Sequence, residues 1–360
     1  MRTSLGLRVL GTLLLAVAGF KSLDWAFVEL NARKVVLPQF DVRLIPTHDP
    51  RVTKRLASIL RYERSPQIIF TGDSRTKCGF DPEVIGRTLG VPPETFFNFG
   101  TGSQTVRFTR QVFLPELLLG NGIRTRTLVF GVSPDWLLNT DKSTRLIRLY
   151  RDSLHYRMKH PESGAEDPIG TAVANFLARH LALYRYRSDL IHQEVIPDLK
   201  CWFLGDCYVT PYVDASMTFR EAERVAGLQT RYGWHSDLWA LLTSGEYRSE
   251  GRRPRFTEEN AVDLENISGL IDEVRDARIT PVFLIMPLHP SFLRVHEPAA
   301  SRNQRLLESL AGEKGVGVLY PRRDYSDPRL FTDGHHLSPA GAAWFSSDIA
   351  PRLRPYLSGC

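Results

Sequence analysis

The stretch Ile68-Ile69-Phe70-Thr71-Gly72-Asp73-Ser74-Arg75 decides the fold. An apolar run stops at a glycine, and an acid and a hydroxyl follow at once. The pattern predicts a buried strand that delivers Ser74 to the open carboxyl end of a parallel sheet, where α/β folds place their ligands. Gly, Asp and Ser are also turn formers, so the same residues fit a strand closed by a capped turn. In either case Asp73 caps or braces that turn.

Outward from this stretch, strand and helix patterns alternate. Asp81-Pro82-Glu83 reads as a helix start, with Asp81 as cap and Pro82 in the first position. Thr95–Phe99 is β-like and ends at Gly100-Thr101-Gly102-Ser103. A helical pattern covers 105–119, and 127–132 reads as the next buried strand. The alternation breaks between about 139 and 255, a segment rich in Arg, Tyr and His that reads as a mainly helical insertion on the sheet domain. It resumes with a helix over 258–278, a strand over 281–286, a helix near 299–311 and a strand over 316–320. Such alternation argues for a three-layer α/β domain, a parallel sheet covered on both faces. The expected organisation is an N-terminal segment (1–30), a linker (31–62) and one sheet domain (63–360) carrying the insertion.

Near the other end stands Thr332-Asp333-Gly334-His335-His336-Leu337-Ser338-Pro339. Ser338 suits a helix N-cap and Pro339 the first helical residue. Three-residue spacing lets the Asp333 carboxylate reach the His336 imidazole and fix its tautomer, leaving the other ring nitrogen for a distant serine. Taken alone, the loop also fits a metal-binding or structural role. Together, Gly-Asp-Ser early and Asp-x-x-His-Leu late resemble the first and last blocks of the SGNH (GDSL-like) hydrolase superfamily. The resemblance implies Ser74 as nucleophile, His336 as base and Asp333 as orienter in an enzyme acting on esters, with no cofactor and no metal.

The family's second block carries a glycine and its third an asparagine, which serve with the nucleophile's own N–H as oxyanion-hole donors. Asn98-Phe99-Gly100-Thr101-Gly102-Ser103 resembles the second block with Gly102 one position early. Gly100 or Gly102 would present the backbone N–H. At the third block the chain has Gly131-Val132-Ser133-Pro134-Asp135, with Ser133 as the substitute donor. That departure points away from an ordinary esterase. It points towards the membrane-anchored branch that resembles alginate O-acetylation proteins and the D-alanyl transfer protein of teichoic acid. Arg75, His289 and His335 are the substrate-binding candidates. His335 also competes with His336 as base, and Cys78 reads as a small buried apolar residue.

The 360 residues, 42% hydrophobic and 24% charged, suffice for a core of about 200–250 residues with an insertion left over. The net charge of +6 is spread along the chain without a dense basic block, which argues against nucleic acid. Arg2 and Arg8 precede an uncharged run, Val9–Phe20, a pattern for export with a cytoplasmic N-terminus. Its length suits a signal peptide cleaved near Ala18; the apolar residues resuming after Lys21 suit a retained membrane helix over 9–30, the expectation taken here. The sheet domain is then extracytoplasmic, where Cys201 and Cys207 either bridge or stay as thiols. The expected activity is serine-dependent transfer of an acyl group, acetyl above all, to a cell-envelope polysaccharide, or ester hydrolysis on one. The partners would be that polysaccharide, an acyl donor and a membrane acyl-transfer protein. The competing expectation is a non-catalytic scaffold of a polysaccharide assembly complex.

Overall fold

The computed structural model describes residues 2–33, 35–36, 41–60, 65–102, 104–133, 136–138, 141–160, 168–187, 262–290, 292–293, 299–331 and 335–357. Among these, the strands are β1 (Ile68–Gly72), β2 (Phe96–Asn98), β3 (Thr127–Val132), β4 (Thr280–Ile285) and β5 (Gly317–Leu319). In chain order the helices are α1 (Arg2–Ala32), α2 (Pro50–Leu60), α3 (Ser74–Gly79), α4 (Pro82–Leu89), α5 (Val106–Phe108, running on as a π-helix over Thr109–Leu118), α6 (Asp141–Arg151), α7 (Leu154–Lys159), α8 (Pro168–His180), α9 (Ala182–Arg185), α10 (Leu264–Asp276), α11 (Ala299–Lys314) and α12 (Pro339–Leu353). The chain divides into two compact units, Met1–Lys54 with Leu149–Thr210, and Arg55–Arg148 with Pro211–Cys360.

The second unit holds the sheet. Its five strands are all parallel in the order β2-β1-β3-β4-β5. The order reverses between β1 and β3, so a crevice opens beyond their carboxyl ends. In-register pairing brings Gly72 opposite Gly131, so the two chain exits at residues 73 and 133 stand side by side. Strands β1, β3 and β4 are mostly apolar because both faces are covered. Ile68, Phe70, Val129, Val282 and Leu284 pack with Ile85 and Leu89 of α4 and with Phe345, Ile349 and Leu353 of α12. By the strand period of two, Ile69, Leu128, Phe130 and Phe283 point the other way. There Phe130 lies 5.8 Å from Trp136 and 5.6 Å from Phe283, centroid to centroid, and α10 packs on β4. Full burial of each such side chain contributes about 1.5–3 kcal/mol.

In the other unit, Phe27 of α1 packs with Val36, Val42, Ala182 and Tyr186. Asp24 Oδ1 accepts the N–H of Leu183 at 2.7 Å, and Lys21 Nζ donates to His180 O at 2.8 Å. Arg185 donates to five carbonyls, those of Ala178, Val42, Arg43, Leu44 and Arg179. The expected membrane helix needs correction here. Among the described residues no helix is long and apolar enough to cross a membrane. From Lys21 onward, α1 instead carries charged side chains that bond to α8 and α9. The stretch expected to be a linker contains α2, with Pro50 in its first position. The part of the insertion that is described, through residue 187, is helical; Cys201 and Cys207 lie outside the described residues.

Candidate active site

Ser74 is the first residue of α3, directly beyond β1. Gly72 makes that abrupt change of direction possible: its φ is +151°, and a Cβ there would stand 2.2 Å from Thr76 Oγ1 and 2.6 Å from Gly131 O. Asp73 caps α3, its Oδ1 accepting the Arg75 N–H at 2.9 Å. The middle of α3 is held by Asn98, whose Nδ2 donates to the carbonyls of Thr76 (3.0 Å) and Lys77 (3.1 Å). Buried Arg55 in turn donates through Nη1 to the Asn98 carbonyl. Gly100 packs flat on α3, since a Cβ would fall 2.4 Å from Lys77 N.

His336 reaches the same point from 262 residues away. Phe331 and Leu337 form an antiparallel bridge at the base of its loop, and Ser338 caps α12 by accepting the Gly341 N–H at 3.1 Å. His336 Nε2 lies 2.7 Å from Ser74 Oγ. With the ring in its Nδ1–H tautomer, the serine hydroxyl donates to Nε2, the arrangement a general base needs. Asp333 lies outside the described residues, as do Ser103, Pro134 and Asp135. The His335 ring lies beside that of His336, tilted by 44° with centroids 4.1 Å apart, and 5.0 Å from the Phe292 ring.

Two of the oxyanion candidates are engaged elsewhere. The Gly100 N–H donates to Asn98 Oδ1 at 3.0 Å. The Ser133 hydroxyl, 1% exposed, donates to Asp73 Oδ2 at 2.6 Å. Gly102 sits in the turn beyond β2, half-buried. That turn is braced by Gln104, which donates to Thr71 Oγ1 (3.0 Å) and Thr109 Oγ1 (2.9 Å) and accepts from Thr101 Oγ1 (3.0 Å). Thr101 N also donates to Gly72 O at 2.9 Å, joining the turn to the end of β1.

Two substrate-binding candidates are buried. Arg75 is 3% exposed and pairs through Nη1 with Asp73 Oδ2 at 2.8 Å. His289 is 4% exposed, with Nε2 3.1 Å from Ser326 O and its ring edge-on to Phe331. Cys78 is partly exposed rather than buried. Sequence reasoning missed Asn98, Gln104 and Phe292 as parts of the site. Asn98 was visible as a polar residue closing an apolar strand next to a glycine; nothing local marked the other two. Among the described residues no group of three or more His, Cys, Asp or Glu side chains is placed to hold a metal ion.

No family model matches the chain, and no curated protein does. Among solved structures it is similar to a protein proposed to be a platelet activating factor from Streptococcus pneumonia, with TM-score 0.38 and 12% identity, covering 84% of this chain and 91% of that one. It is similar to a protein proposed to be lipolytic and of the G-D-S-L family from Desulfitobacterium hafniense, with TM-score 0.35, 11% identity and coverage of 79% and 98%. A GDSL-like lipase from Bacteroides thetaiotaomicron also matches, with TM-score 0.35, 10% identity and coverage of 86% and 98%. With scores and identities this low, the functional reading rests on the geometry of the site.

Proposed function

We propose that the chain is a serine-dependent acyl-transferring enzyme of SGNH type acting on esters, with acetyl groups on a cell-envelope polysaccharide as its physiological cargo. One observation carries the catalytic part: Ser74 Oγ and His336 Nε2 are 2.7 Å apart at the carboxyl edge of a parallel sheet. Two residues so distant in sequence, one at a strand exit and one just before a capped helix, meet at hydrogen-bond distance where α/β folds bind ligands.

In this reading Ser74 Oγ attacks the acyl carbon while His336 Nε2 takes the hydroxyl proton. The ester C–O bond then breaks, and His336 returns the proton to the departing alcohol, leaving the acyl group on Ser74. A sugar hydroxyl or water attacks that acyl-enzyme as His336 takes its proton; the bond between the acyl carbon and Ser74 Oγ then breaks, and His336 returns the proton to Ser74. Asp333, three residues before His336, is assigned the orienting role from its spacing. The N–H groups of Ser74 and Gly102 are assigned to the oxyanion, since Gly100 and Ser133 are committed elsewhere. The polysaccharide, an acyl donor, a membrane acyl-transfer partner and an extracytoplasmic location belong to the same proposal, supported by Arg2 and Arg8 ahead of Val9–Phe20.

The protein incubated with an acetyl ester, with and without an acceptor glycan, should release acetate slowly and transfer acetyl to the glycan. Activity that survives Ser74→Ala would defeat the mechanism. The engagement of Gly100 N–H and Ser133 Oγ favours one second reading, a non-catalytic scaffold for polysaccharide assembly. That reading predicts an unchanged cellular phenotype for Ser74→Ala and His336→Ala where deletion has an effect.

A further inference from the structure

The residues on either side of Ser74 form a buried ion pair. Asp73 and Arg75 have side chains only 6% and 3% exposed. The Asp73 carboxylate accepts three hydrogen bonds: from Arg75 N at 2.9 Å, from Arg75 Nη1 at 2.8 Å and from Ser133 Oγ at 2.6 Å. Arg75 further lies with its guanidinium carbon 6.0 Å from the Phe292 ring centroid. A buried pair of this kind is poor evidence for stability, because well-packed apolar residues often serve as well. Its position next to the nucleophile calls for another account.

A carboxylate suits position 73 because it caps α3 and accepts the Ser133 hydroxyl, tying the exits of β1 and β3 together. The same charge is harmful to acyl transfer. Negative charge develops on the acyl oxygen at Ser74, one residue away, and a buried, uncompensated carboxylate opposes it. We infer that Arg75 is a positioning residue whose guanidinium neutralises Asp73, so that the carboxylate can lock the nucleophile turn without opposing the oxyanion. Arg75 thus acts through Asp73 and not on the substrate. This rests on Ser74 being the nucleophile.

The test orders turnover by local charge, using the full chain and an acetyl ester. R75M leaves the carboxylate uncompensated. It should lower kcat by about 10²-fold with KM changed less than about threefold. D73N/R75M removes both charges while Asn keeps the cap, and it should recover to within about tenfold of the unmodified protein. D73N alone removes the same carboxylate charge and should be at least as active as the double variant. That comparison stands even if R75M fails to fold. A double variant as impaired as R75M, a D73N variant slower than the double, or a loss confined to KM would overturn the inference. Labelling of the unmodified protein by a serine-directed phosphonate is run first. Absence of labelling and of turnover counts against the nucleophile assignment itself, whereas a labelled, active protein with misordered variants counts against the role of Arg75 alone.

Discussion

At position 133 a hydroxyl does a bracing job. Ser133 is buried, and its Oγ donates to Asp73 Oδ2 and lies 3.3 Å from the N–H of Trp136, which it accepts. Ser133→Ala removes one of three donors from a buried carboxylate, and we expect a loss of about 1–3 kcal/mol, read as a lower midpoint in denaturant unfolding. Gly100 is the second sensitive position. A methyl group there would press on the backbone of Thr76 and Lys77, the middle of α3. Gly100→Ala should therefore shift Ser74 away from His336 and slow acyl transfer by about 10²-fold, measured as kcat with an acetyl ester. Wild-type rates in that variant would show that α3 tolerates the shift. Ser74, Asp73 and His336 could be picked out in the sequence because each lies in a short run whose residue types have few other uses together. Arg75 and His289 could not be placed, because burial is set by what packs against a residue. Phe292 beside Arg75 and Phe331 beside His289 come from distant parts of the chain.

Among the elements, the five strands were the easiest to read. Strands covered on both faces appear as continuous apolar runs between turn residues, and β3 and β4 begin and end within a residue of where those runs do. The caps of α4 and α12 were equally plain, since Asp81-Pro82 and Ser338-Pro339 place a cap ahead of a proline that needs no donor. The same proline logic hid α2. Pro46 and Pro50 suggest extended chain, yet Pro50 occupies a first helical position. Helix α3 was hidden because six residues, Ser74–Gly79, carry no apolar period. Pro115 sits inside the π-helical stretch, where the ordinary helical hydrogen-bond pattern gives way. A capping prediction follows for the helix that supports His336. Ser338 Oγ accepts from Gly341 N and donates to Arg329 O at 2.8 Å. Ser338→Ala should cost about 1 kcal/mol in thermal or denaturant unfolding. It should also lower kcat through the loosened His336 loop, which a variant at an exposed helix site would not do.

At the scale of the molecule, the two units were not foreseen, because the segments that join in the first, Met1–Lys54 and Leu149–Thr210, are far apart in sequence. That unit carries a pH-sensitive residue. Burial pushes the His48 imidazole down to about 4, against a smaller opposing pull from Asp49. The unfolded chain therefore takes up this proton first as pH falls below about 6.5. The contribution of His48 is present above that pH and is lost between about 6.5 and 4, by up to about 3 kcal/mol, less for the part of the ring that still meets water. His48→Gln should flatten that limb of the stability–pH curve; an unchanged limb would assign the loss to other groups. The central claim, that Ser74 is a nucleophile activated by His336, is tested most directly by a serine-directed phosphonate followed by peptide mass mapping. The account predicts one adduct on Ser74, absent in Ser74→Ala and formed much more slowly in His336→Ala. No adduct, or one that persists in Ser74→Ala, would contradict it.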